Sequence, residues 1–258
     1  MLNLGWFSTG RGPGSRALLS TVHQAIADGR IEAKISFVFS NRAPGEAEGS
    51  DRFFDLAHTL GLTVVHLSSR AFRRRCSGDP EQRRAAYDAQ VAELVSPFSP
   101  DLCVLAGYML IVGPGMCRDF AMINLHPAAP GGPEGTWQDV IWKLIEQRAD
   151  HSGVKIHLVT EDLDRGPTIA YCRYPIRGGE FGPLWRQADQ ASVGDMRSGV
   201  GEDFPLFKAI RREGVKRELP LLVETLAALS RNEVSITPHN PTPPRDLSTQ
   251  IEAAITQS

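Results

Sequence analysis

The sequence predicts an α/β fold: a doubly wound, mostly parallel sheet with helices on both faces. Three observations carry that expectation. Short apolar runs alternate with stretches of helical periodicity along most of the chain. The first run, Leu2 to Phe7, breaks into Ser8-Thr9-Gly10-Arg11-Gly12-Pro13-Gly14 ahead of a helical pattern, giving strand, glycine loop and helix in that order. In mid-chain, Met122-Ile123 leads through a helical stretch, Thr136 to Gln147, to a second apolar run, Val154 to Val159. Parallel strands need a crossover of that kind, and two strands so joined finish on the same edge of a sheet.

A chain of 258 residues with 41% hydrophobic and 22% charged residues is long enough to bury a full core. One principal domain is expected over residues 1–236, followed by a proline-rich linker and short tail over 237–258. A net charge of -2 and a pI near 6.4 leave no broad basic face, so nucleic acid is not an expected partner. Arg70, Arg73, Arg74 and Arg75, with Arg83 and Arg84, form a local cluster that reads as a solvated surface loop. Cys76, Cys103, Cys117 and Cys172 show no C-x-x-C or Cys/His spacing, which predicts a reducing compartment and no metal. The first residues have no basic lead-in or cleavage pattern, and no apolar run reaches the roughly twenty residues of a membrane span. The expected location is cytoplasmic, away from membranes, as a monomer or homodimer.

Leu2 to Phe7 is the first strand, and the helix after its glycine loop runs from Ser15 to about Asp28. Unpaired N–H groups at that helix start suit an anion, which glycine lets come close, although many such loops only turn the chain. Ala33 to Ser40 is a second strand, with Phe37, Val38 and Phe39 buried. A helix from about Asp51 to Leu60 and a strand from Thr63 to Leu67 follow. Beyond the arginines, Pro80 to Leu94 places Ala86, Val91 and Leu94 at helical spacing, and Leu102 to Ala106 is a fully apolar strand. The stretch Gly107 to Pro114 is an apolar loop, either core packing or the wall of a pocket for a flat ligand. Thr168 to Pro175 is another strand. Arg177 to Asp203 is glycine-rich with few sustained apolar positions and reads as an inserted loop, a lid or a disordered insertion. Phe204 to Leu229 is a long helix, Pro238 to Pro244 a stiff linker, and Leu247 to Ile255 a short terminal helix.

The chemistry concentrates where strands end. Asn124-Leu125-His126-Pro127 is followed by Ala128-Ala129-Pro130-Gly131-Gly132-Pro133, which can be neither strand nor helix, so a strand stops there. Asn124 and His126, two residues apart, lie on one side of that strand. The next strand ends in the acidic turn Thr160-Glu161-Asp162-Leu163-Asp164-Arg165-Gly166-Pro167. Taken singly, His126 suits a loop cap, Asn124 a local backbone bond and Asp164 the hold on a turn. Together, without a serine or cysteine, they suit a reaction whose nucleophile belongs to the substrate. An amine attacking a formyl carbon needs donors for the developing oxyanion and a path for the proton it sheds.

These stretches, with Leu105-Ala106-Gly107-Tyr108-Met109 and His157-Leu158-Val159, closely resemble the phosphoribosylglycinamide formyltransferase family, within the folate-dependent formyltransferase superfamily. The likeness runs from Leu4 to about Ile236. It implies formyl transfer from 10-formyltetrahydrofolate to the primary amine of glycinamide ribonucleotide, a step of purine biosynthesis. By resemblance, Asn124, His126 and Asp164 fall on the catalytic trio, and Gly12, Pro13, Gly14 and Ser15 on the ribonucleotide phosphate site. Arg84 falls on an arginine that meets the folate tail. Met109, Leu110, Ile111, Val112, Thr160, Glu161 and Asp162 fall on the folate pocket, and His157 on a second histidine near the site. Glu213 is the candidate for a ribose hydroxyl contact.

Departures from the family pattern fall on binding positions. Leu110 stands where arginine usually follows the methionine. Lys155 replaces a small hydroxyl residue on the same strand face as His157, where a cation suits an additional anionic group on the acceptor. Arg16 stands in the phosphate loop where asparagine is common. Another amine, such as an amino sugar nucleotide, and hydrolysis of the formyl folate remain as alternatives within the superfamily. A dinucleotide-dependent oxidoreductase built on Gly10 to Ser15 is the reading from another class. It lacks the small third residue and the acid after the second strand, though Arg42 suits a 2′-phosphate. A non-catalytic binding relative is a third.

Overall fold

The computed structural model describes residues 1–236 and 243–256, and the chain divides into two compact units. The first comprises Met1–Leu125, Leu158–Pro167 and Val223–Thr242; the second comprises His126–His157, Thr168–Leu222 and Pro243–Ser258. Most of the expected linker, residues 238–242, lies outside the described residues.

The first unit carries β1 (Leu2–Phe7), α1 (Pro13–Ala27), β2 (Ala33–Ser40), α2 (Glu48–Thr59), β3 (Val64–His66), α3 (Ser69–Arg75), α4 (Pro80–Val95), β4 (Leu102–Leu105), α5 (Pro114–Asp119) and β5 (Met122–His126), whose last residue opens the second unit. Its strands pair in parallel in the order β3-β2-β1-β4-β5. Alternate residues of the same strand are buried on both faces, as a parallel sheet covered by helices requires. Phe7, Phe37, Phe39, Cys103 and Leu105 pack one face against Tyr87, Val91 and Val95 of α4 and Met116 of α5. Trp6, Val38, Val104 and Ile123, of opposite parity, are equally buried.

The arginine stretch corrects an expectation. Arg70 to Arg75 is helix rather than loop, because the Ser68 hydroxyl accepts from Ala71 N and caps it, and because Phe72 packs on Tyr87 at 5.3 Å. The structure also adds α5, which Pro114 opens after Gly113.

The second unit carries α6 (Trp137–Glu146), β6 (His151–Leu158, its last residue in the first unit), β7 (Thr168–Pro175), α7 (Phe181–Ala188), α8 (Val193–Ser198), most of α9 (Pro205–Ser230), β8 (Arg245–Asp246) and α10 (Ser248–Thr256). β6 and β7 are antiparallel, β7 and β8 parallel. Residues 177–203 therefore hold two short helices rather than an open loop. Phe181, Trp185, Ala188 and Met196 are buried with Val140, Ile141, Trp142, Tyr174, Ile176 and Phe207 in one core cluster. The Trp185 indole N–H donates to the Ile176 carbonyl, and the Arg177 guanidinium lies 3.9 Å over its ring. The terminal residues are anchored as well: Arg217 of α9 makes a two-armed ion pair with Glu252 of α10 at 2.6 and 2.9 Å.

Candidate active site

β5 ends at His126 because Pro127 follows and the next residues fold into tight turns, Ala128 N donating to His126 O and Gly132 N to Ala129 O, both at 2.9 Å. The His126 imidazole is 2% exposed, and its Nε2 lies 2.9 Å from the Pro133 carbonyl. A carbonyl only accepts, so Nε2 carries a proton and donates, which fixes the ring's orientation. Pro133 comes from the stretch that broke the strand, so the same residues end β5 and aim its histidine.

Two more buried polar side chains stand on β6. Lys155 and His157 are 6% and 2% exposed, and the His157 ring meets that of His126 nearly edge-on with centroids 6.1 Å apart. The register of β6 slips between Ile156 and His157. A bulge there re-aims the histidine relative to a regular strand.

Asn124 is half-buried, opposite Leu105 of β4. In the same unit, Val159 N donates to Met122 O at 2.9 Å, so the acidic turn emerges beside β5. The turn is closed at its base by Leu158 N donating to Pro167 O at 2.9 Å. Inside it Asp164 is 9% exposed and held at φ 58°, a left-handed conformation that costs a non-glycine residue energy. Backbone strain of that sort persists only where the surroundings enforce it, and it concentrates at functional sites. Gly166 belongs to that enforcement: a Cβ there would lie 1.8 Å from the Leu158 carbonyl oxygen. Gly166→Ala is expected to open the turn and cost about 1–3 kcal/mol of stability, together with activity, as thermal unfolding and an initial-rate assay would read.

The glycine loop and the apolar loop lie side by side. α1 starts at Pro13 with Gly12 as an uncapped N-cap; Pro13 and Gly14 are exposed, and open space surrounds Gly12 and Gly14. Thr9 N donates to Gly107 O at 3.0 Å and Met109 N donates back to the Thr9 hydroxyl at 2.9 Å. Gly107, at φ 73°, lets the chain pass the Ser15 hydroxyl, which would be 2.9 Å from any Cβ. The far end of the apolar loop is pinned by Gly113 N donating to Asp88 Oδ2 at 2.6 Å. Burial pushes that carboxyl upward, opposed by the Gly113 bond and by Arg84 one turn earlier on α4. Met109 and Ile111 project into solvent at 52% and 44% exposure while Val112 is buried and Leu110 packs on the Phe72 and Tyr87 cluster. Half of this loop is thus core and half is an exposed apolar wall. The acidic turn adds Thr160, half-buried, and Glu161 and Asp162, both exposed.

Sequence reasoning missed Thr9, Asp88 and the Pro133 carbonyl as positioning groups. A serine or threonine just past a strand and an aspartate on a buried helix face were the available signals.

Glu213 is held by three cations of its own helix. Its carboxylate accepts from Lys216 at 2.7 Å, Arg212 at 3.2 Å and Arg217 at 3.0 Å. Burial alone would raise its pKa, but those three cations bring it down to about 2. A depressed carboxyl stabilises the fold above its unfolded value and loses that contribution as pH falls through the folded one. The stability difference between the native chain and Glu213→Gln is therefore expected to be full at neutral pH and to shrink as pH drops from about 4.5 toward 2, as acid unfolding curves would show.

Among the described residues no group of three or more His, Cys, Asp or Glu side chains is placed to hold a metal ion, and no helix is long and apolar enough to cross a membrane.

The sequence profile of the formyl transferase family matches residues 12–180. The chain belongs to that family. The match begins at Gly12, inside the glycine loop, takes in the apolar loop, β5, β6 and the acidic turn, and leaves Glu213 outside. Among the relatives, the phosphoribosylglycinamide formyltransferase of Escherichia coli (strain K12) is 28% identical over 169 residues, 65% of this chain and 72% of that protein. The enzyme of the same name from Dictyostelium discoideum is 34% identical over 174 residues, 63% and 80% respectively. In fold, the chain is similar to glycinamide ribonucleotide transformylase 1 from Symbiobacterium toebii, with TM-score 0.66, 24% identity and 92% of each chain covered. It is also similar to a formyltetrahydrofolate deformylase from Pseudomonas syringae pv. tomato str. DC3000, with TM-score 0.62 and 20% identity over 92% of this chain and 64% of that one. Membership of the formyl transferase family agrees with the α/β, mostly parallel architecture.

Proposed function

We propose that the chain transfers the formyl group of 10-formyltetrahydrofolate to the primary amine of glycinamide ribonucleotide. The observation that carries this reading is the strained, buried Asp164, held in a rigid turn beside the strand end that bears Asn124, in a chain whose formyl transferase match spans both. The amine nitrogen attacks the formyl carbon, a tetrahedral intermediate forms, and its bond to N10 of the folate breaks. The amine gives up one proton and N10 takes one. Asn124 donates its side-chain amide to the developing oxyanion. His126, its ring oriented by the Nε2 bond to Pro133, donates to the same oxygen in its protonated form. Asp164 receives the amine proton through water.

Binding roles follow the loops. The uncapped start of α1, at Gly12, Pro13, Gly14 and Ser15, takes the phosphate of the acceptor. The exposed wall of Met109 and Ile111, with Leu110, Val112, Thr160, Glu161 and Asp162 around it, takes the flat pterin, and Arg84 takes the carboxylate tail. Lys155 and His157, buried on one strand, face the acceptor's anionic part.

The test is an absorbance assay of folate product with purified protein against a panel of amines, glycinamide ribonucleotide among them. Product with that nucleotide is expected. Product with another amine alone would move the acceptor, and formate release without any amine would make the chain a hydrolase. A fluorescence titration with NADPH, expected to show no binding, separates the oxidoreductase reading.

A further inference from the structure

We propose that the cavity behind the loop that aims His126 binds a small organic phosphate, and that binding there slows turnover; the second half rests on the role given to His126 above. The cavity lies within the second unit and has a volume of about 650 Å³, in the range of small-molecule sites. It exists because the residues around it lack bulk. Its roof is Ala128-Ala129-Pro130-Gly131-Gly132-Pro133, which has no side chain larger than proline, and its floor crosses Gly153 of β6. A Cβ on Gly153 would lie 2.7 Å from the Ala129 Cβ and 2.6 Å from the Cys172 carbonyl oxygen. The loop therefore sits directly on the strand at Ala129 and bridges the space beyond.

Two polar side chains stand on the floor. In the antiparallel register Gly153 faces Arg173 and His151 faces Pro175, so His151 and Arg173 share one face of the sheet as diagonal neighbours, about 7–8 Å apart. Both are exposed and line the cavity, and among the described residues neither has a carboxylate within ion-pair distance. Asp150, the carboxylate on the lining, is turned to Arg177, its Oδ1 3.4 Å from Nε. That spacing suits a phosphate: the guanidinium forks two oxygens and a third remains for the imidazole, whereas a fork takes both oxygens of a carboxylate. Leu144, Pro133 and Pro175 give the rest of the molecule an apolar wall.

Arg173 is also a tie on the loop. Its Nη2 donates to the Pro130 carbonyl at 3.3 Å, and three residues on the Pro133 carbonyl holds His126 Nε2 at 2.9 Å. The turn between them is closed by Gly132 N donating to Ala129 O at 2.9 Å. A phosphate competes for the guanidinium better than a neutral carbonyl does. Its binding withdraws the tie, loosens the turn that carries Pro133 and frees the His126 ring from its fixed orientation.

The experiment is calorimetric titration of the full chain with AMP, inorganic phosphate and succinate. Glycinamide ribonucleotide is present at saturation, so that the acceptor's own phosphate site is filled. Titrations and initial rates are repeated on His151→Ala and Arg173→Ala, with thermal melts to check folding. The native chain is expected to bind AMP more tightly than phosphate or succinate, and each variant to bind it about tenfold or more weakly. AMP should lower kcat on the order of tenfold with KM for the nucleotide unchanged, since small displacements of a reacting group are costly. Arg173→Ala, which lacks the tie, should turn over at the rate of the AMP-saturated native chain and no longer respond to AMP. His151→Ala should keep the native rate when AMP is absent. No AMP binding by the native chain, binding unaltered in both variants, succinate as tight as AMP, or inhibition that the nucleotide competes away would overturn the site. Binding that the variants lose, with rates indifferent to AMP, would overturn its regulatory half. The same binding in a chain that transfers no formyl group would instead overturn the reaction assigned above and leave the site standing.

Discussion

Asn124→Ala is expected to lower kcat on the order of a hundredfold, about 3 kcal/mol in barrier, with little change in KM. The effect falls on kcat because the side-chain amide is worth most when the formyl oxygen carries charge, and that charge exists only on the way to the intermediate. Asn124 is half-buried at the end of β5, so alanine there leaves a void of a few atoms in a half-open position and should cost little stability. Asp164→Asn is the companion variant. It keeps the shape and the tolerance for left-handed backbone while removing the charge, so the turn survives and the loss again appears in kcat. Either variant retaining native rates, with thermal melts unchanged, would remove the assigned roles.

Trp185→Ala is expected to destabilise the chain by about 4 kcal/mol, lowering its melting temperature on the order of ten degrees. The indole is 4% exposed within the cluster built by α6, α7, Tyr174, Ile176 and Phe207, and its N–H donates to the Ile176 carbonyl. Truncation leaves a cavity and an acceptor without its donor. Were residues 177–203 a lid over a site, the same substitution would move KM and kcat and leave the melt within a few tenths of a kcal/mol of native. Differential scanning calorimetry beside initial rates separates the two outcomes.

What the sequence made legible was set by how locally each feature is determined. β1, β2 and β4 are continuous apolar runs bounded by glycine or polar residues, and a strand buried on both faces leaves that trace directly. β5 and the acidic turn were readable because proline and glycine end them chemically. α3 was not, since its arginines mask a short helix whose cap, Ser68, is one hydroxyl. α7 and α8 were hidden by glycines that break periodicity; what makes them core is Phe181, Trp185 and Met196 joining one cluster with Tyr174 of β7 and with α6, forty residues or so earlier, which no local pattern records. In the site, residue types at Asn124, His126 and Asp164 carried their own argument. The proton on His126 Nε2 did not, because it is decided by a carbonyl seven residues on. Glu213, read as a sugar contact, is held by Arg212, Lys216 and Arg217, and its neighbours in space include α10, which sequence reasoning could not dock.

The central claim concerns where the formyl carbon goes. Its most direct test is mass spectrometry of glycinamide ribonucleotide incubated with the purified chain and 10-formyltetrahydrofolate bearing an isotopically labelled formyl carbon. The account predicts one labelled formyl group on the amine for each tetrahydrofolate formed, and on the order of a hundredth as much when Asn124→Ala replaces the native chain over the same interval. Label recovered as formate, or on no acceptor at all while the folate is consumed, would contradict it.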